Sequence, residues 1–492
     1  VIPLTLGEIA EITGGRLHQA DGTETVTGSV EFDSRKLTGG GLFVAVPGER
    51  VDGHSFAAQA IEAGAVGVLA AREVDAPAVI VPPAADTRSR AFALTGDTDG
   101  SGAAVLEGLG KIAHAVAERL IADGLTVVGL TGSSGKTSTK DLIAQLLEPL
   151  GPTVAPPGSY NNELGHPWTV LRADEHTRYL VLELSARGPG HIAELCRVAP
   201  PRIGAVINVG TAHVGEFGSR EGIAVAKGEL VEALPADGVA VLNLDDDLVA
   251  AMAERTPARV VGVGTHPDAT VRADKVELDD QVRASFELVT PSGSAPVRLA
   301  LHGAHHVGNA LTAAAVALEL GASVDQVAAG LGGAQRVSAH RMDVRTRADG
   351  ITVINDAYNA NPESMRAALK ALATMSRVEP RRRSWAVLGI MADLGGEGVV
   401  AHDEIGRLAV RLDVNRLVVV GGADSDVSAM HQGASLEGSW GEESVQVPDV
   451  DAAISLLRKE IAPGDVVLVK ASNAARLWRV AEALLEAEGG AA

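Results

Sequence analysis

The chain has 492 residues, and at about 100–200 residues per core about three domains are expected. A hydrophobic fraction of 46% and a charged fraction of 21% suit a globular protein. A net charge of -21 and only 3% aromatic residues argue against nucleic acid or an anionic membrane surface as partners. The single cysteine, Cys196, excludes an intrachain disulfide and a cysteine-based metal cluster. The opening residues VIPLTLGEIAEITGG lack a basic segment and a long apolar run, so no signal peptide is expected. No apolar run is long enough for a membrane span, and a reducing cytoplasm is the expected compartment.

The first segment, residues 1–103, carries short strands at Gly41 to Val46, Ala65 to Leu69 and Ala78 to Val81, with an alanine-rich helix near His54 to Ala63. It ends in the polar stretch DTRSRAFALTGDTDGSG, read as a linker or surface insertion. In the second segment, 104–335, apolar runs alternate with helical patterns. TVVGL precedes DLIAQLLEPL, YLVLEL precedes HIAELCRV, IGAVINV precedes EGIAVAKGELVEAL, and GVAVLNL precedes DLVAAMAER. That rhythm predicts a parallel sheet with right-handed crossovers. Thr270 to Leu301 alternates like an antiparallel edge, and a helix from Ala304 to about Leu320 follows. The third segment, 336–492, repeats the α/β pattern with strands ITVIND, SWAVLG, RLVVVGG and DVVLVKAS. Its helices are expected near Pro362, Asp403, Val450 and Ala474.

Chemistry concentrates in GLTGSSGKTSTKD, residues 129–141. A strict phosphate loop wants glycine where Leu130 stands. The context still fits one: an apolar strand, small residues (Thr131, Gly132, Ser133, Ser134, Gly135), then a helix beginning near Lys136 with Thr137 and Ser138. Backbone N–H groups would cradle phosphates, Lys136 would neutralise their charge, and the Thr137 hydroxyl would ligate magnesium. A tight strand–helix turn with an exposed lysine is the alternative. Glu183 sits near the end of an apolar strand and His213 lies past the end of the next. Each alone reads as structural; with Thr137 they form an oxygen and nitrogen shell suited to magnesium. Lys227 has Ile223, Ala224, Leu230 and Val231 on its own helix face and no carboxylate at those spacings. It either snorkels or faces a cleft as a functional lysine.

TGSSGKTSTKD, NNELGHP, ELSARGPGHIAEL, NVGTAHVGEFGSREGIAVAKGEL, GAHHVGNAL, AHRMDV and NDAYNANPESM occur in this order. Together they resemble the Mur ligases of peptidoglycan synthesis over nearly the whole chain. That family uses T-G-[ST]-x-G-K-T, which accounts for Leu130. The resemblance implies an N-terminal α/β domain for a UDP-linked substrate, a central phosphate-loop ATPase domain with a parallel sheet, and a C-terminal Rossmann-like α/β domain. NNELG and DAYNANP favour the members that add D-Ala-D-Ala to UDP-N-acetylmuramoyl-tripeptide through an acyl phosphate.

Carried over by position, the resemblance makes Lys136, Lys227, His213 and Arg341 the catalytic set. It makes Thr137, Glu183, His213 and Lys227, as a carbamate, the ligands of two magnesium ions. ATP would meet Thr131 to Ser138, with Asn309 at the adenine, Arg341 at the γ-phosphate, and Asp356 and Tyr358 near the ribose and adenine. Ser34 and Arg35 would hold the uridine diphosphate, Asn162 and Arg187 the sugar-peptide, and Lys470 and Ser472 the peptide substrates. A monomer acting on small molecules is expected. His306, Ala357, Ile390, Ala471 and Asn473 depart from the family pattern, leaving the ATP side intact and the dipeptide pocket the less defined part. Rival readings are an amino-acid-adding Mur ligase or a folylpolyglutamate synthetase, an inert nucleotide-binding cell-wall scaffold, and a plain phosphate-loop ATPase or kinase. NNELG and DAYNANP speak against the first pair, the intact Lys136, Glu183, His213 and Lys227 against the scaffold. An ATPase leaves Lys227 unexplained.

Overall fold

A computed structural model describes residues 1–48, 51–84, 97, 99–211, 214–422, 425–438 and 443–486. Three main sheets organise it, one in each predicted segment. The first has five strands in the order Arg16–His18, Ala78–Ile80, Ala65–Ala70, Gly41–Val44, Val30–Glu31. Only the Arg16–His18 pairing is antiparallel. The helix predicted near His54 to Ala63 is a 3-10 turn at Gly53–Phe56 running into Ala57–Glu62.

The central sheet has nine strands. Thr126–Thr131 lies at its functional centre, with Tyr179–Glu183 on one side and Ile203–Val206 on the other, both parallel to it. The chain adds Thr153–Val154 and Tyr179–Glu183 on one flank, then crosses to build Ile203–Val206, Val239–Asn243 and Arg259–Gly264 on the other. This reversal creates a crevice at the carboxyl end of Thr126–Thr131, where open α/β sheets bind ligands. Val271–Leu278, Arg283–Thr290 and Gly293–His302 form the expected antiparallel edge. Their inward residues Val271, Ala273, Ala284, Phe286, Leu288, Ala295, Val297 and Leu299 are buried, which is the period-two pattern of a sheet with one solvated face. Helices Lys136–Leu147, His306–Glu319 and Val324–Gly333 cover the buried face of the sheet.

The linker reading needs correction at its end. Much of DTRSRAFALTGDTDGSG lies outside the described residues, but Ser101 and Gly102 open a 22-residue helix, Ser101–Ala122. Val105, Leu109, Ile112, Val116 and Leu120 recur at helical spacing and are buried. They join one continuous core with Leu4, Leu6 and Ile9 of the first domain and Leu180 and Leu182 under the central sheet. Each such side chain contributes roughly 1.5–3 kcal/mol when fully buried, so this helix cements the first domain to the second. Cys196 is buried in the same core, and burial beside Glu229 pushes its thiol up to about 12.

The C-terminal sheet runs Asp343–Thr346, Thr352–Asn355, Val466–Lys470, Ser384–Leu388, Arg416–Val420, Ser444–Val447. All pairings but the first are parallel. Helices Pro362–Ser376, Gly398–Arg411 and Ser425–Glu437 cover one face, and Val450–Glu460 and Trp478–Glu486 the other. The helix expected near Ala474 is a 3-10 turn, Asn473–Ala475, and the α-helix starts at Trp478. Among the described residues no helix is long and apolar enough to cross a membrane.

Candidate functional site

The strand Thr126–Thr131 ends buried, with Thr131 Oγ1 donating to the Leu184 carbonyl at 2.9 Å. The chain then turns through Gly132 to Gly135 and enters Lys136–Leu147. Gly135 has φ +80°, and no side chain caps this helix, so its first-turn N–H groups point outward as an anion site. A Cβ on Gly135 would lie 2.6 Å from Asn309 Oδ1. Glycine is therefore required twice, for the left-handed backbone and for the approach of Asn309. Gly135→Ala is expected to keep the fold and weaken nucleotide binding about tenfold, matching a strain of about 1–2 kcal/mol. Calorimetry with ATP checks this, and an unchanged affinity would refute the cradle.

The loop is held by a residue the sequence reading did not single out. Asn208, past the end of Ile203–Val206, accepts through Oδ1 from the N–H groups of Ser133 (2.9 Å) and Ser134 (3.0 Å), and its Nδ2 donates to the Ser134 carbonyl at 3.1 Å. Its signal in the sequence was an asparagine inside the otherwise apolar run IGAVINV.

Lys136 Nζ donates to the Gly132 carbonyl at 2.7 Å, curled over the loop. Burial lowers its pKa, as does Arg341, while Glu183 opposes the shift. Glu183 is 1% exposed. Its Oε2 accepts from Thr137 Oγ1 at 2.9 Å, and its Oε1 from Ser159 Oγ (2.8 Å) and Asn161 Nδ2 (2.6 Å). Within NNELG it is Asn161 that reaches this carboxylate. Asn162 lines the cleft and its Oδ1 accepts from the Gly165 N–H at 2.9 Å. Thr137 and Glu183 thus offer two hard oxygens at one point, the donor chemistry magnesium prefers. Among the described residues no three His, Cys, Asp or Glu side chains cluster as a metal site. His213 lies outside the described residues.

Lys227 is 6% exposed and makes no hydrogen bond or ion pair with a described residue. Burial, and then the charge of Lys136, lower its pKa well below that of an ordinary lysine. Its helix, Arg220–Glu232, is anchored by Glu229, which accepts from the N–H groups of Gly190 and Ala193.

The C-terminal domain closes the site from the other side. Arg341 donates to Thr137 Oγ1 at 2.8 Å and stacks 4.1 Å from the Tyr358 ring centroid, its Nε buried with no partner among the described residues. Asp356 accepts from the Met342 N–H and from Lys470 Nζ at 2.6 Å. Lys470 also donates to the Asn359 carbonyl, so its ammonium is committed to the Asp356 loop although it borders the cleft. Ser472 does not reach the cleft; its Oγ accepts from the Ala392 N–H. Of the departing residues, His306 lies against Asn309, with Nδ1 3.4 Å from Asn309 Nδ2. Burial and the neighbouring His305 lower its pKa. Ala357 and Ala471 are buried.

The resulting cleft has a volume of about 610 Å³. It brings together Ser133 to Ser138, Asn162, Glu183, Arg187, Asn309, Arg341, Asp356, Tyr358 and Lys470. Ser34 and Arg35 do not line it. They form a 3-10 turn capped by Asp33 in the first domain, and the Arg35 side chain is 83% exposed.

Family models match in three blocks: Mur ligase family, catalytic domain (27–91), Mur ligase middle domain (130–317), and Mur ligase, glutamate ligase domain (340–473). The chain is 59% identical over 501 residues to UDP-N-acetylmuramoyl-tripeptide--D-alanyl-D-alanine ligase of Mycobacterium tuberculosis, covering 99% of this chain and 98% of that one. With the Escherichia coli enzyme of the same name identity is 35%, covering 99% of both. Among solved structures, MurF from Acinetobacter baumannii superposes with a TM-score of 0.83 at 30% identity, covering 98% of this chain and 99% of that one. MurF from Thermotoga maritima in complex with ADP gives 0.75 at 27% identity, covering 95% and 99%. A phosphate loop clasped by a second α/β domain, matched along its whole length by these proteins, places the chain in the Mur ligase family.

Proposed function

We propose that the chain is an ATP-dependent carboxylate–amine ligase that adds D-Ala-D-Ala to UDP-N-acetylmuramoyl-tripeptide in the cytoplasm. The observation that carries the reading is the meeting of Arg341 with Thr137: a cation from the C-terminal domain stands over the phosphate loop of the central one.

A carboxylate is a poor electrophile, and ATP answers this by phosphorylating it. Two anions must then approach, and the chain opposes their repulsion with Lys136, Arg341 and the N–H groups of Gly135 to Thr137, preset around the transferring phosphoryl group. The nucleotide's base and sugar would lie along Asn309, Tyr358 and Asp356. Family membership carries magnesium dependence, and Thr137, Glu183, His213 and a carbamate on Lys227 are the residues we assign to two ions. Bound there, magnesium supplies positive charge to the phosphates. Asn162 and Arg187 would orient the sugar-peptide, while the closed cleft keeps water from the activated acyl group.

The deciding experiment is phosphate release from ATP with UDP-N-acetylmuramoyl-tripeptide, with and without D-Ala-D-Ala. Release that requires both substrates supports the reading; release indifferent to the dipeptide overturns it. For the first domain, Arg35→Ala is expected to weaken the UDP-peptide about 10- to 100-fold, the size of a lost charge-assisted hydrogen bond, and to leave ATP affinity unchanged. Equal losses for both ligands in calorimetry would remove Arg35 from the UDP site.

A further inference from the structure

Glu363 takes no part in the reaction as described, yet it joins the two domains. It stands on the first turn of Pro362–Ser376, a helix capped by Asn361, whose Oδ1 accepts from the Ser364 N–H at 2.8 Å. Its Oε1 reaches into the central domain and accepts from both the N–H and the Oγ1 of Thr211, each at 2.8 Å. Its Oε2 is buried and has no partner among the described residues. A Cβ on Gly210 would sit 2.9 Å from the Glu363 carboxyl carbon, so glycine is what lets the carboxylate in.

Gly210 leads back to the phosphate loop. Its N–H donates to Ser133 Oγ at 2.9 Å, and the Ser133 N–H in turn donates to Asn208. Glu363, Thr211, Gly210, Ser133 and Asn208 therefore form one unbroken run from the C-terminal domain to the loop. A second contact flanks it, where a Cβ on Gly215 would lie 3.0 Å from Gly395 Cα. The run is suited to reversal. Two hydrogen bonds to a charged acceptor hold it shut, and both are exchanged for hydrogen bonds to water when the domains part, so the net gain on closing is small.

We infer that Glu363 is a positioning residue, the latch through which the C-terminal domain, on closing, fixes the phosphate loop by way of Thr211, Gly210 and Ser133. This rests on the cleft being a nucleotide site.

The test uses the full chain with fluorophores at two exposed positions, Glu254→Cys and Lys370→Cys, Cys196 being buried. The interdomain distance is read on adding magnesium and a non-hydrolysable ATP analogue. The parent is expected to shorten this distance; Glu363→Ala is expected to lose most of the change, Thr211→Val, which keeps the backbone N–H donor, part of it, and the double variant no more than Glu363→Ala alone. Phosphate release in Glu363→Ala should fall about 10- to 100-fold, as for a lost supporting contact, in kcat rather than in KM for ATP. Glu363→Gln keeps an acceptor for Thr211 and should retain closure, which separates the latch from a folding defect read by thermal melting. A parent that does not close, variants that close like the parent, or losses that add as independent ones would each overturn the latch. Because closure is read without turnover, a chain that closes through Glu363 but fails to ligate would count against the proposed reaction and leave the latch standing.

Discussion

Lys227→Ala and Lys227→Arg are both expected to lose at least about a thousandfold in ligation, the upper range for a single electrostatic group, while keeping the fold. The lysine is buried, has no described partner, and lies where the Lys136 charge disfavours a second ammonium. Those conditions favour the neutral amine, the form that adds carbon dioxide. The product is an anion, and the Lys136 charge that repels an ammonium attracts a carbamate. Arginine keeps its charge and cannot form the carbamate, so the conservative replacement should fail as fully as alanine. Stripping bicarbonate and carbon dioxide from the parent should lower its activity, and restoring bicarbonate should recover it. A carbonyl resonance from labelled bicarbonate, present in the parent and absent in Lys227→Arg, is the direct readout. Full activity of Lys227→Arg would end this assignment.

Glu183→Gln is expected to cost about 10²–10³-fold in turnover. The carboxylate accepts from Thr137, Ser159 and Asn161, and its charge offsets the burial of Lys136. An amide keeps the volume and one acceptor but loses the charge and turns a donor toward hydroxyl and amide donors. Magnesium titration of the rate separates metal from packing: a higher magnesium requirement belongs to a lost ligand, an unchanged requirement to a structural carboxylate. Wild-type turnover at saturating magnesium would sink the role.

Much of this was legible in the chain itself. The alternation of apolar runs and helices is a local property, so the central and C-terminal sheets and the antiparallel edge at Val271–His302 followed from it. Thr137, Glu183, Asn309 and Arg341 sat in motifs whose order marked the family. The helix Ser101–Ala122 was hidden because its glycine- and alanine-rich start continues a polar linker, and its apolar spacing gains meaning only against two cores. Ser425–Glu437 was missed because its polar sequence has little amphipathic contrast.

What the amino-acid order determined by itself is the set of reactive groups and the strand or helix that carries each, because periodicity and turn chemistry act over a few residues. What only the tertiary structure decided is which of those groups meet. Asn161 rather than Asn162 reaches Glu183, Asn208 grips the phosphate loop, Lys470 is spent on Asp356, and Glu363 crosses to Thr211. Such contacts join residues up to 152 positions apart in the chain. They depend on where the crossover after Tyr179–Glu183 and the packing of two domains place the side chains, and no spacing along the sequence encodes that.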